Sequence, residues 1–286
     1  MQKYLIVTAD DFGLHESVND AVEQAAAAGV LTAASLMVSG PAAADAIRRA
    51  QRLPDLRVGL HLVLADGRAS LAHREIPSIA DADGHISGEM FWRGIRYFSI
   101  PSVRRQLEAE IAAQFAAFAR TGLRMDHVNA HKHFHVHPTI LSFVMRMARD
   151  HGAPAVRVPE EPLGRGASLS SRLGGSLLTP WLMLMKHRLR AAGILHNDRI
   201  YGIASTGSMV EERLLAMLAR LPHGITEIYL HPATLSGHSI AASMSDYQHA
   251  AELAALLSPK VRAAIEAQGI LRGGYSDMPR NQRSPA

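Results

Sequence analysis

Short apolar runs alternate along the chain with longer stretches in which apolar residues recur every three or four positions. Residues 5–9, 31–38 and 58–63 read as buried strands. Between them, 17–28 (closed by Gly29) and 41–53 read as helices. Residues 65–101 break the rhythm with scattered Gly, Pro and Asp, and read as an irregular insertion. The rhythm then resumes: a helix over 103–120, a strand over 126–130, a helix over 138–149 with proline at its start, and a strand over 155–158. A Gly-, Pro- and Ser-rich loop at 159–175 precedes a helix over 177–192. A strand at 199–204, a helix at 209–221, a strand at 227–230 and a helix at 245–257 follow. A last helix and a weak strand near Ile270 and Leu271 complete the pattern.

That makes seven or eight βα units with no composition break and no internal repeat. Repeated units of this kind predict a parallel sheet, and their number in this length predicts an α/β, (β/α) barrel-like fold, distorted from the ideal, as a single domain over residues 1–286. An open doubly wound sheet is the alternative. In a barrel, chemistry gathers where the strands end.

Composition narrows the function classes. Apolar residues make up 48% and charged residues 20%, an ordinary globular balance that excludes wholesale disorder. The absence of cysteine removes disulfides, thiolate metal ligands and cysteine nucleophiles. Thirty basic residues against 26 acids, with 5% aromatics, is no nucleic-acid signature. The first apolar run meets Asp10 and Asp11 too soon for a signal peptide, and no apolar stretch is long enough for a membrane span. A cytoplasmic protein is expected. One stretch points to the inner face of the membrane: residues 177–185 are apolar around Trp181, and Lys186-His187-Arg188-Leu189-Arg190 follow. A helix over about 177–192 lying in a bilayer interface has this pattern, giving peripheral membrane contact. A helix packed on the barrel core is the plainer reading.

Histidine is the outlier, with 16 copies, five of them between His127 and His137. Asp10 and Asp11 directly follow the first strand. Two ionised carboxylates this close call for a cation or a proton between them, unless they merely cap a helix. His61 ends the third strand. In Asp126-His127-Val128-Asn129-Ala130-His131-Lys132-His133-Phe134-His135-Val136-His137, every second position from 127 is His apart from Asn129. A continuing strand would put that row on one face, as a metal site or a polar pocket wall. A polar loop with spare histidines is the alternative, but it leaves the other strand-end groups unexplained. An acid with two His and no Cys suits Zn²⁺ or another divalent transition metal, with positions left for water and substrate. The second acid of the pair is then a candidate general base. His231 sits at another strand end and can protonate a leaving group. Arg157 can hold a catalytic carboxylate ionised, unless it is a surface residue beside Glu160 and Glu161.

Taken in order, Thr8-Ala9-Asp10-Asp11-Phe12-Gly13, Gly59-Leu60-His61, Asn129-Ala130-His131-Lys132-His133 and His231-Pro232 resemble the YdjC-like carbohydrate deacetylases, over nearly the whole chain. Residues 31–38, 126–135 and 229–234 look like the hopanoid-biosynthesis-associated branch (HpnK). The resemblance implies a (β/α) barrel-like fold and removal of an N-acetyl group from an amino sugar. It places a metal on Asp11, His61 and His131, with Asp10 as base. A looser analogy with polysaccharide deacetylases makes His231 the acid. Zn²⁺ or Mg²⁺ serves in the family, and two His ligands favour Zn²⁺ here. Lys132 stands where the chito-oligosaccharide members commonly carry His, which implies different substrate contacts. The branch implies a glycolipid substrate, a hopanoid bearing N-acetylglucosamine. A soluble chito-oligosaccharide or diacetyl-sugar deacetylase is the alternative.

Overall fold

The structure is a computed structural model that describes residues 2–162, 169–234 and 240–278, with backbone alone for 169–177. The elements are β1 (Lys3–Phe12), α1 (Glu16–Ala28), β2 (Ala33–Leu36), α2 (Ala43–Ala50), β3 (Arg57–Leu62), β4 (Gly67–Arg68), β5 (His85–Ile86), α3 (Met90–Ser99) and α4 (Pro101–Ala119). After these come β6 (Met125–Ala130), α5 (Pro138–Asp150), α6 (Leu169–Ala191), β7 (Arg199–Tyr201), α7 (Glu211–Leu218), β8 (Gly224–Leu230), α8 (His249–Leu257), α9 (Pro259–Ala267) and β9 (Leu271–Arg272).

The main sheet runs β6-β3-β2-β1-β8-β7, with β9 beside the start of β1, and every pairing is parallel. Beyond β6, Val128 bridges to Val156 and Ala155 to Leu195, which lies just before β7. The two edges are thereby drawn toward each other, and the sheet curls into the barrel-like α/β fold expected from the βα rhythm. The stretch predicted as a strand at 155–158 contributes only those bridges.

Side chains alternate between the two faces of each strand, as period two requires. Leu5, Val7 and Ala9 of β1 face the helices and join the large outer core. Tyr4 and Ile6 face inward and pack with Ala33, Ala155, Ile225, Tyr275 and Met278. The apolar floor of the barrel is therefore closed by the chain beyond β9. Higher up the same inward row come Thr8 and Asp10, so the interior turns from apolar to polar toward the strand ends.

Three expectations need correction. The two acids are not a helix cap: they belong to β1, and the cap of α1 is His15, whose Nδ1 accepts from the Ser17 amide at 3.1 Å. The insertion at 65–101 is not irregular throughout, because it holds the β4–β5 pair and all of α3. The helix predicted at 177–192 begins at Leu169, while residues 163–168 of the predicted loop lie outside the described residues. Within α6, Leu182, Met185 and Leu189 are buried, and the half-buried Trp181 donates from Nε1 to the Val136 carbonyl at 2.8 Å. One stripe of this helix is thus core, and Leu178, Met183 and Leu184 point outward.

Gly59 of β3 faces inward, where a Cβ would lie 2.5 Å from the His127 ring. That ring is held between Ser35 Oγ and Asp126 Oδ2, both at 3.0 Å, and has no room to retreat. Gly59→Ala is expected to cost about 1–3 kcal/mol as overpacking, read as a lower urea midpoint with an unchanged slope.

Candidate active site

Parallel register brings the chemistry-bearing residues to one rim. His61 pairs with Asn129 across β3 and β6, and Ala9 pairs with Leu230 across β1 and β8. Asp10 and His231, one step further on, therefore stand on the same side of the mouth as His61. At the end of β1 the register to β2 shifts between Ala9 and Phe12, and Asp11 adopts a left-handed backbone with φ of 62°. This bulge breaks the alternation that would have sent Asp10 and Asp11 to opposite faces. Both carboxylates are buried and both turn toward the mouth.

Asp10 meets Arg157, whose Nη1 and Nη2 donate to its two oxygens at 2.6 and 3.0 Å. The same guanidinium donates to Glu227 from Nε at 3.0 Å and from Nη2 at 2.7 Å. Glu227 also accepts from the Thr8 hydroxyl and the Tyr275 hydroxyl, both at 2.6 Å. Arg157 is wholly buried, with its guanidinium carbon 5.1 Å from the centre of the Tyr229 ring, so the surface alternative for this residue is wrong. Burial by itself would raise the Asp10 carboxyl. The Arg157 charge and hydrogen bonds, with His61, reverse that and hold it well below the usual carboxylate range.

Asp11 sits between two imidazoles. Its Oδ1 is 3.2 Å from His61 Nε2 and 3.0 Å from His131 Nδ1, and its Oδ2 is buried without a hydrogen-bond partner. One ligand atom from each of these three residues can lie within 4.8 Å of the others. A carboxylate with an unanswered oxygen, facing two convergent imidazoles and no thiolate, fits a divalent cation of the zinc type. His231 Nε2 lies 3.9 Å from Asp11 Oδ2, on the open side of the cluster.

Asn129 links His61 to the Arg157 layer. Its Oδ1 lies 2.6 Å from His61 Nδ1, and its Nδ2 donates to Ser35 Oγ at 2.9 Å. With the amide turned over, its nitrogen donates to His61 Nδ1 and its oxygen faces Arg157 Nη1 at 2.8 Å. The turned-over amide satisfies both sides, because its oxygen then accepts from Arg157 and Ser35, whereas the first orientation sets its nitrogen against the guanidinium, donor facing donor.

The histidine row does not share one face. The strand ends at Ala130 and the chain coils through 3-10 turns over His131–Val136, with Lys132 and His133 left-handed at φ of 56° and 55°. His131 alone of the row reaches the cluster. His133 meets the Tyr229 hydroxyl at 3.2 Å. His135 is buried against the Arg157 carbonyl, with Nε2 2.9 Å from that oxygen, and burial pushes its pKa down to about 3, so the neutral ring donates. His127 serves the barrel interior, as described above.

All six residues singled out from the sequence, Asp10, Asp11, His61, His131, Arg157 and His231, are thus gathered at one mouth. Four that complete the site were missed. Glu227 and Tyr229 alternate with His231 along β8, so the period-two rule could have found them. Ser35 and Tyr275 carried no local signal. A cavity of about 130 Å³ opens here, lined among others by Asp10, His61, His131, Lys132, Tyr229 and His231. A larger one of about 440 Å³ lies at the other end of β3 and β6, between Arg57, Arg124 and Asp277, away from every one of these groups. Its lining offers no comparable chemistry, so the smaller cavity is the candidate site.

Removing Arg157 strands two buried carboxylates. Arg157→Met is expected to cost about 3–5 kcal/mol in chemical denaturation at neutral pH. The lowered pKa of Asp10 means that its pairing stabilises the fold above the unfolded carboxylate value, about 3.9, and ceases to do so as pH falls through the folded value. The gap between wild type and variant should therefore narrow at acid pH.

Known proteins are similar to this chain along nearly its whole length. A carbohydrate deacetylase of Brevibacillus brevis is 31% identical over 278 residues, covering 96% of this chain and 99% of that protein. A chitooligosaccharide deacetylase of Serratia marcescens is 29% identical, covering 97% of this chain and all of that protein. A solved structure from Enterococcus faecalis V583 superposes with a TM-score of 0.73 at 24% identity, over 96% of this chain and 98% of that one, and so shares the fold. Residues 4–267 match the family described as YdjC-like protein, and with the barrel and its rim of acids and histidines in place, the chain is a member of the YdjC-like family.

Proposed function

We propose that the chain is a metal-dependent carbohydrate N-deacetylase whose substrate is an N-acetylglucosaminyl hopanoid. The observation that carries the reaction is the buried Asp11–His61–His131 cluster with ionised Asp10 on one side and His231 on the other. Two relatives named as deacetylases support the reaction class. A divalent cation on the three ligands, Zn²⁺ by the donor set and Mg²⁺ as the family's other choice, would polarise the acetamide carbonyl and acidify a water. Asp10 accepts the proton of the attacking water, and Arg157 keeps both carboxylate oxygens ionised and aimed. As the C–N bond breaks, His231 gives a proton to the leaving nitrogen, so that acetate and a free amine result.

The cavity of about 130 Å³ is smaller than a usual ligand pocket, so it encloses the reacting acetamide and leaves the rest of the substrate outside. The resemblance of residues 31–38, 126–135 and 229–234 to the hopanoid-associated branch supports the lipid aglycone, and Lys132 in place of the His of the chito-oligosaccharide members implies different substrate contacts. A soluble chito-oligosaccharide is the second reading, favoured by the Serratia relative. No helix among the described residues is long and apolar enough to cross a membrane, so contact with a lipid-borne sugar would be peripheral.

His61→Ala and His131→Ala should each lose bound metal and activity together, as read by metal analysis and acetate release. Full metal occupancy in either variant would remove it from the ligand set. Asp10→Asn should keep the metal while slowing the reaction by about 10²–10⁴-fold, the usual share of a general base. Acetate release measured side by side on an N-acetylglucosaminyl hopanoid in mixed micelles and on diacetylchitobiose separates the two substrates. Faster turnover of the disaccharide would select the second reading.

A further inference from the structure

Ten large apolar side chains are exposed among the described residues, and five of them lie between Phe91 and Ile100. Helix α3 is inverted relative to an ordinary surface helix. It faces the protein with Gly94 and Tyr97, and Tyr97 donates to the Leu64 carbonyl at 3.4 Å and stacks near Phe134. Its outer side carries Phe91 at 72% exposure, Trp92 at 64% and Phe98 at 60%, with Ile95 between. Phe91, Ile95 and Phe98 are spaced as one helical stripe, with the Trp92 ring against Phe91. Isolated surface apolars need no explanation, but a contiguous aromatic face does.

Charge says what covers this face. Residues 90–107 contain four arginines and no acid. Arg93 is engaged by Ser87 and the Ile79 carbonyl, while Arg96, Arg104 and Arg105 are exposed, Arg104 donating to the Phe98 carbonyl of α3. In a symmetric contact between two copies, four arginines would meet four arginines, with the exposed Glu89 at the start of α3 as the one carboxylate beside them to answer the charge. Anionic headgroups answer it directly, and aromatic residues with arginine beside them are the composition of a helix lying in a bilayer interface. The position is also specific. Gly88, just before α3, lies within 4 Å of Asp66 and Lys132 by its Cβ direction, and Lys132 lines the site cavity.

We propose that α3 is a membrane-docking helix: Phe91, Trp92, Ile95 and Phe98 enter the boundary between headgroups and acyl chains of an anionic bilayer, and Arg96, Arg104 and Arg105 hold its phosphates. Docking sets the lip of the cavity at the lipid surface, where a lipid-linked sugar is presented. The docking stands on the exposed face and not on the hopanoid reading, and each is tested separately.

The test is co-sedimentation of the full chain with phosphatidylglycerol–phosphatidylcholine vesicles and with pure phosphatidylcholine vesicles. Wild type should bind the anionic vesicles and be released by salt. Phe91→Ser/Trp92→Ser/Phe98→Ser should bind at least tenfold more weakly, and Arg96→Glu/Arg105→Glu should lose the preference for anionic lipid. All the substituted residues are solvent-exposed, and circular dichroism with metal content confirms that each variant is folded. In a Trp181→Phe background, Trp92 is the remaining tryptophan, and its emission should shift to the blue on vesicles. Absence of vesicle binding by wild type, or equal binding by the triple serine variant, overturns the proposal. A concentration-dependent dimer that the serine substitutions abolish, without vesicle binding, assigns the face to a second copy and overturns it too. Vesicle binding without acetate release from any glycoside would leave docking standing and remove the deacetylase reading.

Discussion

Arg157 ties together opposite sides of the barrel, and the rest of the site depends on that tie. Asp10 and Glu227 come from the neighbouring strands β1 and β8, while Arg157 arrives from the bridge segment beyond β6. Its guanidinium uses both edges, one on each carboxylate. A lone buried charge would be intolerable in this interior, and two carboxylates without the arginine would repel. With every partner present, the layer is satisfied down to Thr8 and Tyr275, and it separates the apolar floor from the polar mouth. The same contact keeps Asp10 ionised in a place where burial would otherwise protonate it. The packing of the layer and the charge on Asp10 thus rest on one guanidinium and its two ion pairs, and the chain beyond β9 supports both through Tyr275.

Backbone strain is concentrated where that layer meets solvent. Asp11, Asp66, Lys132 and His133 are the non-glycine residues with positive φ among the described ones, and all four border the mouth. Each such conformation costs about 1–3 kcal/mol and persists only when its surroundings over-determine it. At Asp11 the holding groups are two imidazoles. Lys132 and Asp66 hold each other by an ion pair, and His133 leans on Tyr229. The strain is what turns both acids inward and stops the histidine row after His131.

The narrow cavity and the outward face of α3 are built from different parts of the chain. The convergent acids and imidazoles are buried at the strand ends, where the dielectric is low and positions are fixed. The exposed aromatic face of α3 stands outside, on an inserted segment that is anchored to the core by Ile76, Ile79, Ile86 and Tyr97.

Much of this was legible in the primary structure. The βα rhythm gave the fold class because apolar periodicity is a local property, and strand ends could be located to within a few residues. Asp10, Asp11, His61, His131 and His231 stood out because each falls at such an end. The sequence could not show that Arg157 is buried, because its partner Asp10 lies 147 residues away and only the curl of the sheet brings them together. Nor could it show that His131 alone of its row faces the cluster, since that turns on two left-handed residues that local pattern assigns to a strand. The apolar stretch around Trp181 and the one around Trp92 look alike as composition. Packing turned a stripe of the first into the core and left the second outside, because only the assembled barrel decides which face of a helix finds a neighbour.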